Sequence, residues 1–157
     1  MKKINFLTKL KEEGKLKIVE PSEEVKASYI KKSKSSLKSA KILFENGQIE
    51  DAVPMAYYSM YNMLAALLFK AGIKCENHSA SIILLKELFG INNSKISFAK
   101  TERVDKQYYV DFEITKIEVE NIIKSAEEFN PLIYDFIEKL TTEQVFQYRE
   151  ELEEALK

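Results

Sequence analysis

The sequence predicts an all-α fold, a bundle of helices that share one core. Only four glycines and three prolines interrupt the 157 residues, and no alternation of apolar and polar residues typical of β-strands persists. Apolar residues instead recur at spacings of three and four, the period of a helix that buries one face. The length is that of one domain, large enough to bury most of its apolar surface as a single core.

Composition excludes several classes of protein. The 24 basic and 25 acidic side chains leave a net charge of −1, so no global basic field draws the chain to nucleic acid. Arg103 and Arg149 are the only arginines, the side chain preferred for bidentate phosphate recognition. The single cysteine, Cys75, excludes an internal disulfide and, with no recognisable signal peptide, predicts a cytoplasmic protein. No apolar run reaches membrane-spanning length, so we expect no membrane association.

The N-terminal third is predicted to form two helices. Residues 3–13 place apolar side chains on one face, and residues 15–21 form a connector that can be extended. Ser22 is a plausible N-cap for a helix that should run to about Asn46 and end at Gly47. Its lysines fall largely on the face away from the apolar positions, as a solvated face or as phosphate contacts: Lys26, Lys31, Lys32, Lys34, Lys38 and Lys41.

The central helix is the segment around which the chain is organised. It should begin between Ile49 and Asp51, with Pro54 near its first turn, where the missing N–H costs little, and end at Gly72. No charge occurs from residue 52 to residue 69. Because apolar residues cover most sides, we expect a core helix surrounded by others.

Four segments follow the central helix. Residues 73–78 are expected to form a short loop, and either Asn77 or Ser79 should cap the helix that Gly90 stops. Residues 92–97 are a polar connection to a helix from roughly Ser97 to Tyr109.

The C-terminal part carries two capping signatures. Thr115 precedes a helix whose three-four spacing continues to residue 140 across Pro131, which we expect to kink the helix without breaking it. Thr141 and Gln144 form a second capping-box signature, which opens a last amphipathic helix.

Few residues can carry chemistry. His78 is the only histidine, either a loop-end residue that helps to cap the next helix or a site imidazole. No spaced histidine and carboxylate pair is present, so we expect no metal site and no cofactor. Tyr57, Tyr58 and Tyr61 lie on adjacent faces of the central helix, for core packing or for stacking on a base.

The most suggestive polar stretch is Arg-Val-Asp-Lys-Gln-Tyr-Tyr at 103–109. On a helix Arg103 shares a face with residue 107, and Asp105 shares one with Tyr109, whereas Arg103 and Tyr108 do not face the same side well. A salt bridge from Arg103 to a carboxylate on another helix is the structural alternative.

Three stretches together resemble the HEPN domain family: Asp-Ala-Val-Pro-Met-Ala-Tyr-Tyr-Ser-Met-Tyr at 51–61, Gly-Ile-Lys-Cys-Glu-Asn-His-Ser at 72–79 and Glu-Arg-Val-Asp-Lys-Gln-Tyr-Tyr at 102–109. The similarity covers roughly 22–140. It implies an up-and-down four-helix bundle with additional short helices, often paired as a homodimer. We therefore expect a single domain over 1–157, with an N-terminal helix and connector at 1–21 and a C-terminal helix at 141–157 outside that core.

The resemblance implies two functional types. Many HEPN proteins are metal-independent RNases whose motif is an arginine followed about four to six residues later by a histidine. Others are partners of minimal nucleotidyltransferases in toxin–antitoxin modules. Arg103 matches the arginine of the motif, but Tyr108 or Tyr109 stands at the histidine spacing, and His78 precedes Arg103. A phenol titrates near 10 and is a poor base at neutral pH.

Our leading hypothesis is therefore a HEPN bundle with a degenerate motif that binds a nucleotidyltransferase partner or RNA. The alternative is an active ribonuclease in which Arg103, His78 and Tyr108 converge. A structural interaction module that uses the last helix is the third. For a binding site, the candidates are Arg103, Tyr108, Tyr109, His78, Tyr58 and Asp105.

Overall fold

The computed structural model describes residues 1–108 and 113–157, and the side chains of residues 104–108 lie outside its described part. The described residues form seven helices and two three-residue strands, so the predicted all-α class is confirmed. In chain order these are α1 (Asn5–Glu12), β1 (Leu16–Ile18), α2 (Glu23–Glu45), α3 (Ile49–Lys70), β2 (Ile73–Cys75), α4 (His78–Glu87), α5 (Ser94–Tyr108), α6 (Lys116–Lys139) and α7 (Thr142–Ala155).

Helix α3 forms the centre of the bundle, as its apolar sequence predicts. Helices α2, α6, α5 and α4 pack against it, and α2 is its main neighbour. The largest side chains that α3 buries completely are Tyr57, Met60, Leu64 and Leu67. Burial of each such side chain contributes about 1.5–3 kcal/mol, so the core depends on this helix more than on any propensity of its own.

A buried polar network fixes how α2 and α6 meet α3. The Ser33 hydroxyl of α2 donates to the Ser59 carbonyl at 2.6 Å, and the Ser59 hydroxyl donates to the Ala56 carbonyl at 2.7 Å. From α6, Asn130 Nδ2 donates to the Ser59 hydroxyl at 3.2 Å. Since a buried polar group is costly unless it is paired, these bonds select one register of the three helices.

The segments expected as a connector and as a loop pair with each other. β1 and β2 are antiparallel, with Leu16 opposite Cys75 and Ile18 opposite Ile73. The prediction of a loop over 73–78 was wrong for its first three residues. Three residues are too few to show a strand period in the sequence. The buried Leu16 and Ile73 side chains hold the pair against the core.

The predicted helix ends are largely confirmed. The Ser22 hydroxyl accepts the Val25 N–H at 3.2 Å at the start of α2. Between the two candidates for α4, Asn77 is the cap, and its Oδ1 accepts the Ala80 N–H at 2.9 Å. Thr141 and Gln144 form the reciprocal capping box of α7.

Two boundaries refine the prediction. Helix α5 begins at Ser94, three residues before the expected start, because the Asn92 side chain accepts the Ser94 N–H at 2.8 Å. Helix α6 continues unbroken from Lys116 to Lys139 through Pro131.

In the described part of the chain, no helix combines the length and apolar character that crossing a membrane requires.

Candidate functional site

Three elements bring polar and aromatic side chains together on one side of α3. Tyr57, Tyr58 and Tyr61 come from α3, His78 is the first residue of α4, and Arg103 lies in α5. These five residues are called the central cluster below. The Asn77 cap fixes the first turn of α4 and so sets where the His78 ring projects.

His78 is held from two directions. Its Nδ1 lies 2.8 Å from the Tyr57 hydroxyl oxygen, within hydrogen-bond distance. The Tyr61 ring stacks on the imidazole with centroids 3.6 Å apart and planes inclined by 17°. The imidazole therefore has a fixed orientation while remaining only partly buried.

Arg103 contacts the same tyrosine. The centre of its guanidinium is 5.1 Å from the Tyr57 ring centroid and 5.6 Å from the Tyr58 ring centroid, within the range of cation–π attraction. Its Nη1 donates to the Tyr58 hydroxyl at 3.0 Å. Its Nε is buried and has no hydrogen-bond partner in the described part of the chain. Two aromatic rings therefore hold the guanidinium in place.

The surroundings keep the ring groups neutral at ordinary pH. Burial, followed by the charges of Arg103 and Lys100, lowers the pKa of His78 below its usual value of 6.5. Burial raises the pKa of the Tyr57 phenol, although Arg103 acts against that shift. Burial also raises the pKa of Tyr61. The central cluster therefore presents one fixed positive charge beside a neutral imidazole and neutral phenols.

The structure brings some of the predicted site residues together, and the side chains of the others lie outside its described part. Arg103, His78 and Tyr58 lie together, although 25 positions separate His78 from Arg103 in the sequence. The side chains of Asp105, Tyr108 and Tyr109 lie outside the described residues.

Two members of the central cluster were not among the predicted site residues. Tyr57 joins the imidazole to the guanidinium, and Tyr61 supports the imidazole. Their spacing of four residues places both rings on one face of α3, a signal that was available in the sequence. That this face would meet His78 depends on tertiary packing.

The described side chains offer no grouping of three or more histidine, cysteine, aspartate or glutamate residues arranged to hold a metal ion. Cys75 is partly buried, and its thiol donates to the Asn77 carbonyl at 3.4 Å. The chemistry available to the central cluster is therefore that of a guanidinium, an imidazole and phenols. This set suits an anion that also presents hydrogen-bond groups or a flat ring.

Comparisons with known proteins agree with the sequence resemblance. The HEPN domain family matches residues 27–140, more than half of the chain. A protein of Methanocaldococcus jannaschii named "Putative toxin MJ0605" is 33% identical over 114 residues, covering 68% of this chain and 84% of that protein. A protein of Pyrococcus horikoshii named "UPF0332 protein PH1297" is 38% identical over 86 residues, covering 55% of this chain and 56% of that protein.

Proposed function

The chain belongs to the HEPN domain family, and we propose that it is the toxin-type member of a toxin–antitoxin-type module and that it binds RNA at the central cluster. A reducing cytoplasm is the compartment we assign to it, because its single thiol is unpaired.

One observation carries this proposal: Arg103 and His78 both contact Tyr57. A guanidinium has five N–H donors, and the bond to Tyr58 uses one of them. The remaining donors on its two terminal nitrogens can hold a phosphate, while the partly exposed Tyr58 ring can contact a base. Phosphate, ribose and base are the three groups that RNA offers to such a surface.

Binding can be measured by fluorescence anisotropy with a labelled 2′-O-methyl oligouridylate, which cannot be cleaved through its 2′ oxygen. Arg103→Ala should weaken binding at least tenfold, because it removes the charge that faces the phosphate. Lys139→Ala is the control, since it removes an exposed positive charge of α6, outside the central cluster. Equal binding by wild type and Arg103→Ala would contradict the proposal.

A second candidate function, metal-independent RNA cleavage, is favoured by the lowered pKa of His78. A neutral imidazole can accept a proton at pH 7, which the tyrosines at the usual histidine spacing cannot do. With Nδ1–H donating to the Tyr57 oxygen, Nε2 is free to take the proton of a ribose 2′-hydroxyl. The 2′ oxygen then attacks phosphorus, the bond to the 5′ oxygen breaks, and that oxygen takes up a proton from water.

Cleavage is tested with single-stranded RNA in the presence of EDTA. Products with 2′,3′-cyclic phosphate ends, abolished by His78→Gln and by Arg103→Ala, would establish the activity. Intact RNA after prolonged incubation, together with normal binding of the 2′-O-methyl oligonucleotide, would limit the function to binding.

We propose two partners, which the family resemblance implies: a second copy of this chain and a minimal nucleotidyltransferase. The chain has a mass of 18.2 kDa, so sedimentation should give about twice this value for a homodimer. Co-expression with a minimal nucleotidyltransferase of the same organism should give a complex that survives gel filtration. A monomer that elutes separately from that enzyme would contradict both assignments.

A further inference from the structure

A cleft opens between α2 and α6, and it shares no residue with the central cluster. Its volume is about 370 Å³, which lies in the range of small-molecule sites. Three buried residues, one from each of three helices, form its floor: Ser33 of α2, Met63 of α3 and Asn130 of α6. Leu37 and Tyr134 make its walls largely apolar. The cleft therefore reaches the central helix of the bundle.

The hydrogen bonding of Asn130 on this floor is incomplete. The residue is only 6% exposed, and its Nδ2 donates to the Ser59 hydroxyl at 3.2 Å. Its Oδ1 is buried and has no hydrogen-bond partner in the described part of the chain. Exchanging the two amide atoms would not remove this deficit, because the Ser59 hydroxyl already donates its one proton to the Ala56 carbonyl. A buried acceptor without a donor is costly, so the amide is suited to a donor from outside the chain.

Pro131 adds a second acceptor to the same cleft. Proline has no N–H, so the Glu127 carbonyl, four residues earlier in α6, lacks the donor that a helix normally supplies. Both Glu127 and Pro131 line the cleft. Two acceptors that need a donor thus lie within about one turn of α6, and the cleft favours a ligand that donates hydrogen bonds.

The charges at the mouth favour a neutral ligand. The Lys34 ammonium lies 5.6 Å from the Tyr134 ring centroid, and the Glu127 carboxylate lies 3.1 Å from the Lys41 ammonium. A cation would be repelled by Lys34, and an anion would be repelled by Glu127 and by the acceptors of the floor. Lys34 is exposed, so its long side chain can move aside when a ligand approaches the buried Oδ1.

We propose that this cleft binds a small neutral molecule that has a flat apolar ring and one N–H donor. The donor bonds to Asn130 Oδ1, and the ring packs between Met63 and Tyr134, where an aromatic contact adds to apolar burial. Indole is the simplest molecule of this chemistry, since it donates one hydrogen bond and accepts none. The site is independent of RNA binding at the central cluster.

The experiment compares indole with 1-methylindole, in which a methyl group replaces the hydrogen of the N–H. The chain contains no tryptophan, so the anisotropy of the ligand's own fluorescence reports binding without an indole signal from the protein. Indole should bind saturably, with one molecule per chain. 1-Methylindole should bind at least about fivefold more weakly, because it leaves Oδ1 without a donor. Saturating indole should also raise Tm, since it binds the folded chain.

Three variants locate the site. Leu37→Phe fills part of the cleft from a partly exposed position and should abolish binding of both ligands. Leu132→Ala is the control, because Leu132 is exposed on α6 outside the cleft, and this variant should bind indole as wild type does. Asn130→Ala should bind the two ligands equally. Circular dichroism checks that each variant is folded, and if Asn130→Ala is not, wild type and Leu37→Phe decide the question.

Several results would overturn the proposal. Equal affinity of wild type for indole and 1-methylindole would exclude a donor contact at Asn130. Unchanged indole binding by Leu37→Phe would place the ligand elsewhere on the protein. Absence of saturable binding would leave Oδ1 to a buried water molecule. None of these results affects RNA binding at the central cluster, which Arg103→Ala tests separately.

Discussion

Gly72→Ala tests how much the close contact between Val19 and Gly72 contributes to stability. Gly72 joins α3 to β2 and has φ of +71°, in the left-handed region. A Cβ atom at this position would lie 2.5 Å from the Val19 carbonyl oxygen, and a real structure does not tolerate that distance to a backbone atom. The Val19 N–H donates to the Gly72 carbonyl at 2.8 Å, so moving Val19 away also breaks that bond.

The expected magnitude follows from these contributions. The left-handed conformation costs an L-residue about 1–2 kcal/mol, and loss of the backbone hydrogen bond adds about 1 kcal/mol. With the displacement of Val19, the free energy of unfolding should fall by at least about 3 kcal/mol, or about 6–12 °C in Tm for a domain of this size.

Gly47→Ala is the control, and urea titration followed by circular dichroism is the assay. Gly47 has φ of +80°, but nothing lies within 4 Å of a Cβ atom placed there. It should lose only the conformational part, about 1–2 kcal/mol. Equal losses in the two variants would refute the claim that the Val19 carbonyl lies directly against Gly72.

Three further substitutions test the cluster and a helix end. Tyr57→Phe removes the hydroxyl bonded to His78. The free energy of unfolding, measured by urea titration, should fall by about 1 kcal/mol. Burial and then Arg103 lower the folded-state pKa of His78 below 6.5. The contribution of the neutral imidazole to stability should therefore be complete above pH 6.5, and it should be lost as the pH falls from 6.5 through the lower folded-state pKa. Arg103→Ala should raise that pKa, as read by NMR from the single imidazole of the chain. Thr141→Ala should cost about 1 kcal/mol of stability in thermal unfolding, whereas Thr142→Ala should cost little.

Helices and their caps could be predicted because their determinants are local. The Ser22 cap bonds a backbone N–H only three residues away, and Thr141 with Gln144 completes its capping box within one turn. The β1–β2 pair could not be predicted in this way. Its register depends on contact between Leu16 and Cys75, which are far apart in the sequence and meet only after α2 and α3 have packed.

The central cluster was predictable as residue types and not as an arrangement. His78 and Arg103 are conspicuous because the chain has one histidine and two arginines. Their approach to each other is set by α3, through a tyrosine that sequence alone also allows as an ordinary core residue. Tyr57 has both roles, since its ring is fully buried and its hydroxyl still reaches the imidazole.

The origin of the imidazole has a consequence for how the site responds to substitutions. In the motif that this chain resembles, arginine and histidine lie about four to six residues apart, so local geometry fixes their separation. Here the imidazole comes from the start of α4 and the guanidinium from α5, and Tyr57 of α3 lies between them. Their separation therefore depends on how three elements pack, and on Gly72, which leads from α3 through β2 to α4. Substitutions far from Arg103 that shift β2 should thus alter RNA binding and the pKa of His78 together, whereas equally destabilising substitutions in α7 should alter neither while the protein remains folded.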